Sequence, residues 1–272
     1  MKTLRLYYQS IINELIKLKN SYVLTIMVLS SVFIPAIYFV HYIVDHKRLL
    51  PDITANHWDK FFMGQLTMTP TLITFFVVLI ATFTVQIEHR SEGFKQLFSL
   101  PIPKSMVYNG KLFISAVVVY LTYLFFLVFL LLSGYAISLI FPEYGFRSYS
   151  PNLIFMIKIL FSSYLTTLGI LAIQYFISYK TKNFIVPIGI GIVMIILGLI
   201  LFRSPRFAPF IPYAYNISNF VHLDLKNPSL IGWFTNYSVY SIIVFIGVSI
   251  FGSRNITKSN ICLLYTSPSP RD

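Results

Sequence analysis

Six long apolar runs constrain this chain more than any other feature of its sequence. They fall at about residues 22–44, 66–87, 112–140, 153–179, 184–202 and 233–251. The hydrocarbon core of a bilayer is about 30 Å thick, so roughly 20 apolar residues wound as an α-helix at ~1.5 Å each can cross it. Lipid offers no partner to backbone N–H and C=O groups, so a spanning segment must satisfy its own by coiling. The pattern therefore predicts an all-α, polytopic membrane protein with about six transmembrane helices, forming one domain over residues 1–260. The 112–140 run is long enough to cross with a tilt. Composition agrees: only 11% of the 272 residues are charged, where soluble domains carry about 25%. The mean hydropathy is +0.73.

Charge placement orients the spans. Cytoplasmic loops of membrane proteins carry an excess of Lys and Arg. With the N-terminus inside, the inner segments hold Lys2, Arg5, Lys17 and Lys19, then Arg90, Lys95, Lys104 and Lys111, then Lys180 and Lys182, then Arg254 and Lys258. The outer loops hold Lys47, Arg48 and Lys60, then Arg147, then Arg203, Arg206 and Lys226. The excess predicts that both termini are cytoplasmic. The net charge of +12 thus belongs to membrane topology and anionic lipid, and nucleic acid is excluded as a partner. Residues 2–20 place Leu4, Tyr8, Ile11 and Leu15 on one side and Arg5, Gln9, Glu14 and Lys17 on the other. That 3.6-residue period predicts an amphipathic helix lying in the membrane interface. It also argues against a cleavable signal peptide, as does the length of the first apolar run.

Signatures of enzyme chemistry are missing. There is no GxxxxGK phosphate loop, no HExxH and no GxSxG, so ATP binding of the P-loop kind is not expected of this chain. One cysteine, Cys262, excludes an internal disulfide and a Cys-based metal site. His46, Asp52, His57 and Asp59 share the segment 45–65, but their spacing matches no metal site, and a solvated polar loop is expected there. His41 reads as an interfacial histidine. Within the spans, Lys158 is expected to snorkel outward. Gln86 and Gln174 are expected to bond between helices. Thr67, Thr69, Thr71 and Thr74, beside Pro70, are expected to bond to their own helix backbone. The segment 203–236, with Pro205, Pro209, Pro212 and Pro228, is expected to be a loop with a surface-lying part. The near-absence of buried acids and arginines argues against a proton-coupled pump or a voltage sensor, so the energy for any transport must come from outside these helices.

The most informative stretch is Ile87 to Lys111. Phe94, Leu97 and Phe98 form an apolar edge, and Glu88, Glu92 and Lys95 a polar one. Pro101 and Pro103 stop the helix because proline cannot donate the helical hydrogen bond. A short helix fixed between two spans has the shape needed to transmit force from a partner. A Glu closing the second span, then Gly93, an apolar pair, Leu100-Pro101 and a Lys opening the third span resembles the permeases of type-2 ABC exporters. The interfacial helix 2–20, the six spans and the long aromatic loop before the last span resemble that family's layout over residues 1–260. Size and compact loops resemble its lantibiotic-immunity and bacitracin-resistance permeases.

The resemblance implies that the chain is the membrane permease of an ATP-driven exporter. It implies that helix 2–20 is a connecting helix, and that the segment matching Ser91–Leu100, flanked by Glu88, Arg90 and Pro101 and containing Glu92, Gly93, Phe94, Leu97 and Phe98, is a coupling helix docking on a separate ABC ATPase. ATP and Mg would sit on that partner and no cofactor on this chain, and a second permease copy or a sister permease would complete the unit. Peptide antibiotics are the expected cargo, with resistance to them the expected consequence. A non-transporting membrane scaffold or sensor stays open as the alternative; an intramembrane enzyme lacks a plausible catalytic pair. Residues 263–272 break with the composition before them and look like translated adapter sequence, so 261–272, including Cys262, is expected to be a non-native tail.

Overall fold

A computed structural model describes residue 18 and residues 21–49, 57–90, 103–222 and 232–258. The regular elements among them are all helical. Helix α1 spans Tyr22–Val44. The Ser21 hydroxyl caps it, accepting from the Val23 N–H at 3.3 Å and donating to the Leu18 carbonyl at 2.8 Å. Two short helices follow, α2 (His46–Leu49) and α3 (His57–Leu66). Then come α4 (Thr69–Arg90) and α5 (Lys104–Ile140). A 3-10 turn at Pro142–Tyr144 ends on Gly145, whose φ of 66° favours glycine. Asn152 caps α6 (Leu153–Lys180) by accepting from the Phe155 N–H at 3.2 Å. The remaining helices are α7 (Ile185–Leu201), α8 (Tyr215–His222) and α9 (Asn236–Lys258), with 3-10 turns at Ala208–Phe210 and Pro212–Ala214 before α8.

Five of these helices, α1, α4, α5, α6 and α9, are long and apolar enough to cross a membrane. Helix α7, at 17 residues, reaches about 25 Å at the helical rise and sits at the short end of the spanning range. The chain is therefore an all-α, multi-pass membrane protein. Several expected boundaries move. Helix α5 starts at Lys104, not at residue 112, and its 37 residues reach about 55 Å, well beyond a hydrocarbon core. Pro103 precedes its first turn, where a missing N–H costs nothing.

Two segments expected at the surface are packed inside. The first is 57–66, assigned to a solvated polar loop. It is helix α3, and its apolar stripe buries Trp58, Phe61 and Phe62. The Trp58 indole N–H donates to the Phe146 and Tyr149 carbonyls at 2.9 Å each. Phe61 meets Tyr42 edge-on at 5.0 Å, and Trp58 meets Phe146 at 4.9 Å. Such pairs add about 0.5–1.5 kcal/mol beyond area burial. The second is 208–222, whose residues Tyr213 to Asn219 are buried against α4, α6 and α7. Tyr213 and Ala214 fit there because α7 has a glycine opposite them: a Cβ on Gly198 would stand 2.8 Å from the Tyr213 carbonyl oxygen.

Buried polar groups hold α6 at the centre. The Gln174 amide donates to the Pro187 carbonyl at 2.6 Å and to the Thr82 hydroxyl at 3.4 Å, and its oxygen accepts from Tyr213 at 2.8 Å. Asn216 donates to the Pro70 carbonyl at 3.1 Å and accepts from Thr166 at 3.2 Å. Ser241 of α9 donates to the Thr166 carbonyl at 2.9 Å and accepts from the Gly169 N–H at 2.7 Å.

The glycines supply an internal control for this packing. Gly198→Ala should lower stability by about 1–3 kcal/mol, because the Tyr213 backbone has to move. Gly189→Ala, on the same helix with nothing within 4 Å of its Cβ position, should be neutral or stabilising by up to ~1 kcal/mol through helix propensity. Thermal unfolding of both variants in detergent checks the contrast.

Candidate functional site

One end of the bundle gathers the turns that flank residues 91–102. Gln86, near the end of α4, donates to the Lys182 carbonyl at 3.5 Å, and Phe83 lies 6.2 Å from Phe184. The end of α4 is thereby tied to the turn between α6 and α7. On the other flank, Tyr108 in the second turn of α5 meets Tyr175 edge-on at 4.9 Å and Tyr179 at 5.4 Å. The Tyr175 hydroxyl donates to the Tyr108 carbonyl at 3.3 Å. The Tyr108 ring also lies against Gly252 of α9, where a Cβ has no room. The Lys180 ammonium donates to Asn255 at 3.0 Å, which joins the ends of α6 and α9. Both ends of the intervening chain, residues 91–102, are thus mounted on helices that are themselves locked together.

Glu88 and Arg90 fall in the last turn of α4, so the spanning helix continues through them. Glu92, Gly93, Phe94, Leu97, Phe98 and Pro101 lie outside the described residues, as do Leu4, Tyr8, Ile11 and Leu15. The residues that mount the segment, Tyr108, Tyr175 and Tyr179, were not singled out by the sequence; the i, i+4 spacing of the last two on one helix face was the available signal. Lys111 falls inside α5 with 1% exposure, not in a cytoplasmic loop.

The opposite end shows what the polar residues of segment 45–65 do. His57 is buried and its ring faces Tyr144 at 5.8 Å and Phe146 at 6.0 Å. Burial lowers its pKa from 6.5, and the Lys60 cation adds to the effect. Burial pushes the Asp59 carboxyl above its ordinary range. His46 stacks on Phe141 at 4.3 Å. Among the described residues no group of three His, Cys, Asp or Glu could hold a metal. His41 meets Asp45 at 3.0 Å one turn on, half-exposed as an interfacial residue would be. Thr74 donates to the Pro70 carbonyl of its own helix at 2.7 Å, as expected, whereas Thr67 and Thr69 donate to the Gly64 and Gln65 carbonyls of α3 at 2.7 Å each.

A histidine held neutral by burial supports the fold above its unfolded pKa and withdraws that support as pH falls through about 6.5. The aromatic cap around α3 should therefore melt at lower temperature at pH 5.5 than at pH 7.5. His57→Phe should flatten that dependence; thermal melts at the two pH values check it.

The sequence model of the ABC-2 family transporter proteins matches residues 10–198. That stretch takes in α1 to α6 and most of α7, including both mounts of segment 91–102. No curated protein matches the chain. The spans, the paired mounts at one end of the bundle and the family match agree: the chain belongs to the ABC-2 family of transporter proteins, membrane components of ABC transporters.

Proposed function

We propose that this chain is the permease subunit of an ATP-driven exporter in the cell membrane, worked by a separate ABC ATPase that binds ATP and Mg. The observation that carries the reading is the double mounting of residues 91–102 on α4 and α5, within a chain of the ABC-2 family. In this account the amphipathic segment with Phe94, Leu97 and Phe98 on its apolar edge seats in the ATPase, and Glu88 and Arg90 mark where the segment leaves α4. Closure of the ATPase pair displaces the segment, and α4 and α5 carry the displacement into the bilayer. Both termini are cytoplasmic, in line with the Lys and Arg at the end that holds Lys104, Lys180, Lys182 and Arg254. Helix 2–20 lies in the interface beside them.

A second permease, identical or a sister chain, completes the pathway, and cargo moves along the interface between the two. Amphipathic peptide antibiotics are the cargo class we favour, because spans with so little buried charge suit an amphipathic solute better than an ion. Export of such peptides would confer resistance to them.

Phe94→Asp combined with Leu97→Asp tests the coupling role. The double variant should insert in the membrane at the level of the parent chain and lose at least ~90% of ATP-dependent export, since two buried anchors of an interface typically carry several kcal/mol. Unchanged export by an inserted double variant would remove segment 91–102 from the mechanism.

A further inference from the structure

A groove on the membrane-facing side of the bundle, between α5 and α6, has the form of a lipid site. Tyr120, Leu124 and Leu127 line it from α5, and Ile157, Phe161 and Tyr164 from α6. The two sets fall at i, i+4, i+7 along antiparallel helices, so the groove runs along the helix axes. It extends roughly 10 Å at the helical rise. Tyr120 and Tyr164, 5.2 Å apart, close its deep end. Lys158 stands at its other end, next to Ile157 and one turn before Phe161. The Lys158 ammonium lies 5.9 Å from the centre of the Trp233 ring, and that ring also meets Phe161 at 5.8 Å.

The electrostatics of that end call for an anion. Lys158 sits roughly 8 Å from the first residue of α6, with its ammonium against the Trp233 ring. No carboxylate among the described residues pairs with it. A tryptophan three residues before α9 marks the headgroup level. A cation and an aromatic ring at headgroup depth, above an apolar slot directed at the bilayer centre, match a phosphate joined to an acyl chain.

We infer that the α5–α6 groove binds one anionic phospholipid, with its phosphate on Lys158 beside Trp233 and an acyl chain in the slot between Leu124 and Ile157. The inference does not depend on the exporter reading. A bound lipid would hold the outer parts of α5 and α6 at a fixed separation, on the lever that segment 91–102 drives.

The full chain, reconstituted in nanodiscs, provides the test. It has two tryptophans. Trp58 is fully buried and Trp233 is 42% exposed, so quenching by chain-brominated lipid reports Trp233. Brominated phosphatidylglycerol should occupy the site with a preference of about fivefold over brominated phosphatidylcholine, the weight of one interfacial cation. Lys158→Gln should remove the preference and Lys158→Arg should keep it. Leu124→Phe with Ile157→Phe, which fills the slot and leaves the charge, should reduce quenching by the anionic lipid to the phosphatidylcholine level. Equal quenching by the two lipids, or a preference that survives Lys158→Gln in a folded variant, would overturn the inference.

Discussion

Inside a bilayer a polar group must find its partner within the protein, and in this chain the partners converge on α6. Gln174 alone joins three elements: Thr82 on α4, the Pro187 carbonyl on α7 and the Tyr213 hydroxyl of the infolded segment. Thr166 and Gly169 bring in Asn216 and Ser241. Interhelical bonds of this kind average about 0.6 kcal/mol in membranes, so no single one determines the fold. Their value lies in register: each holds only when the facing helices sit at one rotation and one height. The glycines at 169, 191 and 198 let α9, α7's partner α4 and the infolded turn come close enough for those bonds to form. Together they make α6 the fixed element against which the others are placed.

That placement also fixes the turns at the end of the bundle that holds Tyr108 and Lys180. Tyr108 ties α5 to the last turns of α6 and to Gly252 of α9, while Gln86 and Phe83 tie α4 to the turn after α6. In the proposed mechanism the permease would receive its work through the short stretch between α4 and α5. The same stiffness reaches the far side of the bundle through α5, whose length carries it past the hydrocarbon and into the aromatic cap around Trp58 and Phe146.

The spanning helices were legible in the sequence because lipid imposes a condition on consecutive residues: an apolar run is readable wherever it stands. The infolded elements were not, because their burial depends on residues far along the chain. His57, Asp59 and Lys60 read as a polar loop, yet Trp58 and Phe61 draw that loop into a cap whose other half comes from Tyr42, Tyr144 and Phe146. Asn216, Ser218 and Asn219 likewise lie in a segment read as a loop with a surface-lying part, and are buried where the Thr166 and Ser162 hydroxyls and the Pro70 and Phe202 carbonyls partner them. The contact of Lys158 with Trp233 joins residues far apart in the chain, and the groove beside it needs two helices, so neither could be seen in one apolar run. Helix ends were the least readable feature, as α5 shows: helix continues after the hydrophobic run stops, because backbone hydrogen bonding does not end at the membrane surface.

The central claim is that this chain is driven by a separate ATPase, and purification from native membranes tests it most directly. An affinity-tagged chain extracted in mild detergent should bring with it a soluble subunit containing a GxxxxGK[ST] phosphate loop, in a fixed ratio to the permease, and the complex should hydrolyse ATP. Repeated isolation of the folded chain with no such ATPase, from cells that express it at native level, would contradict the account.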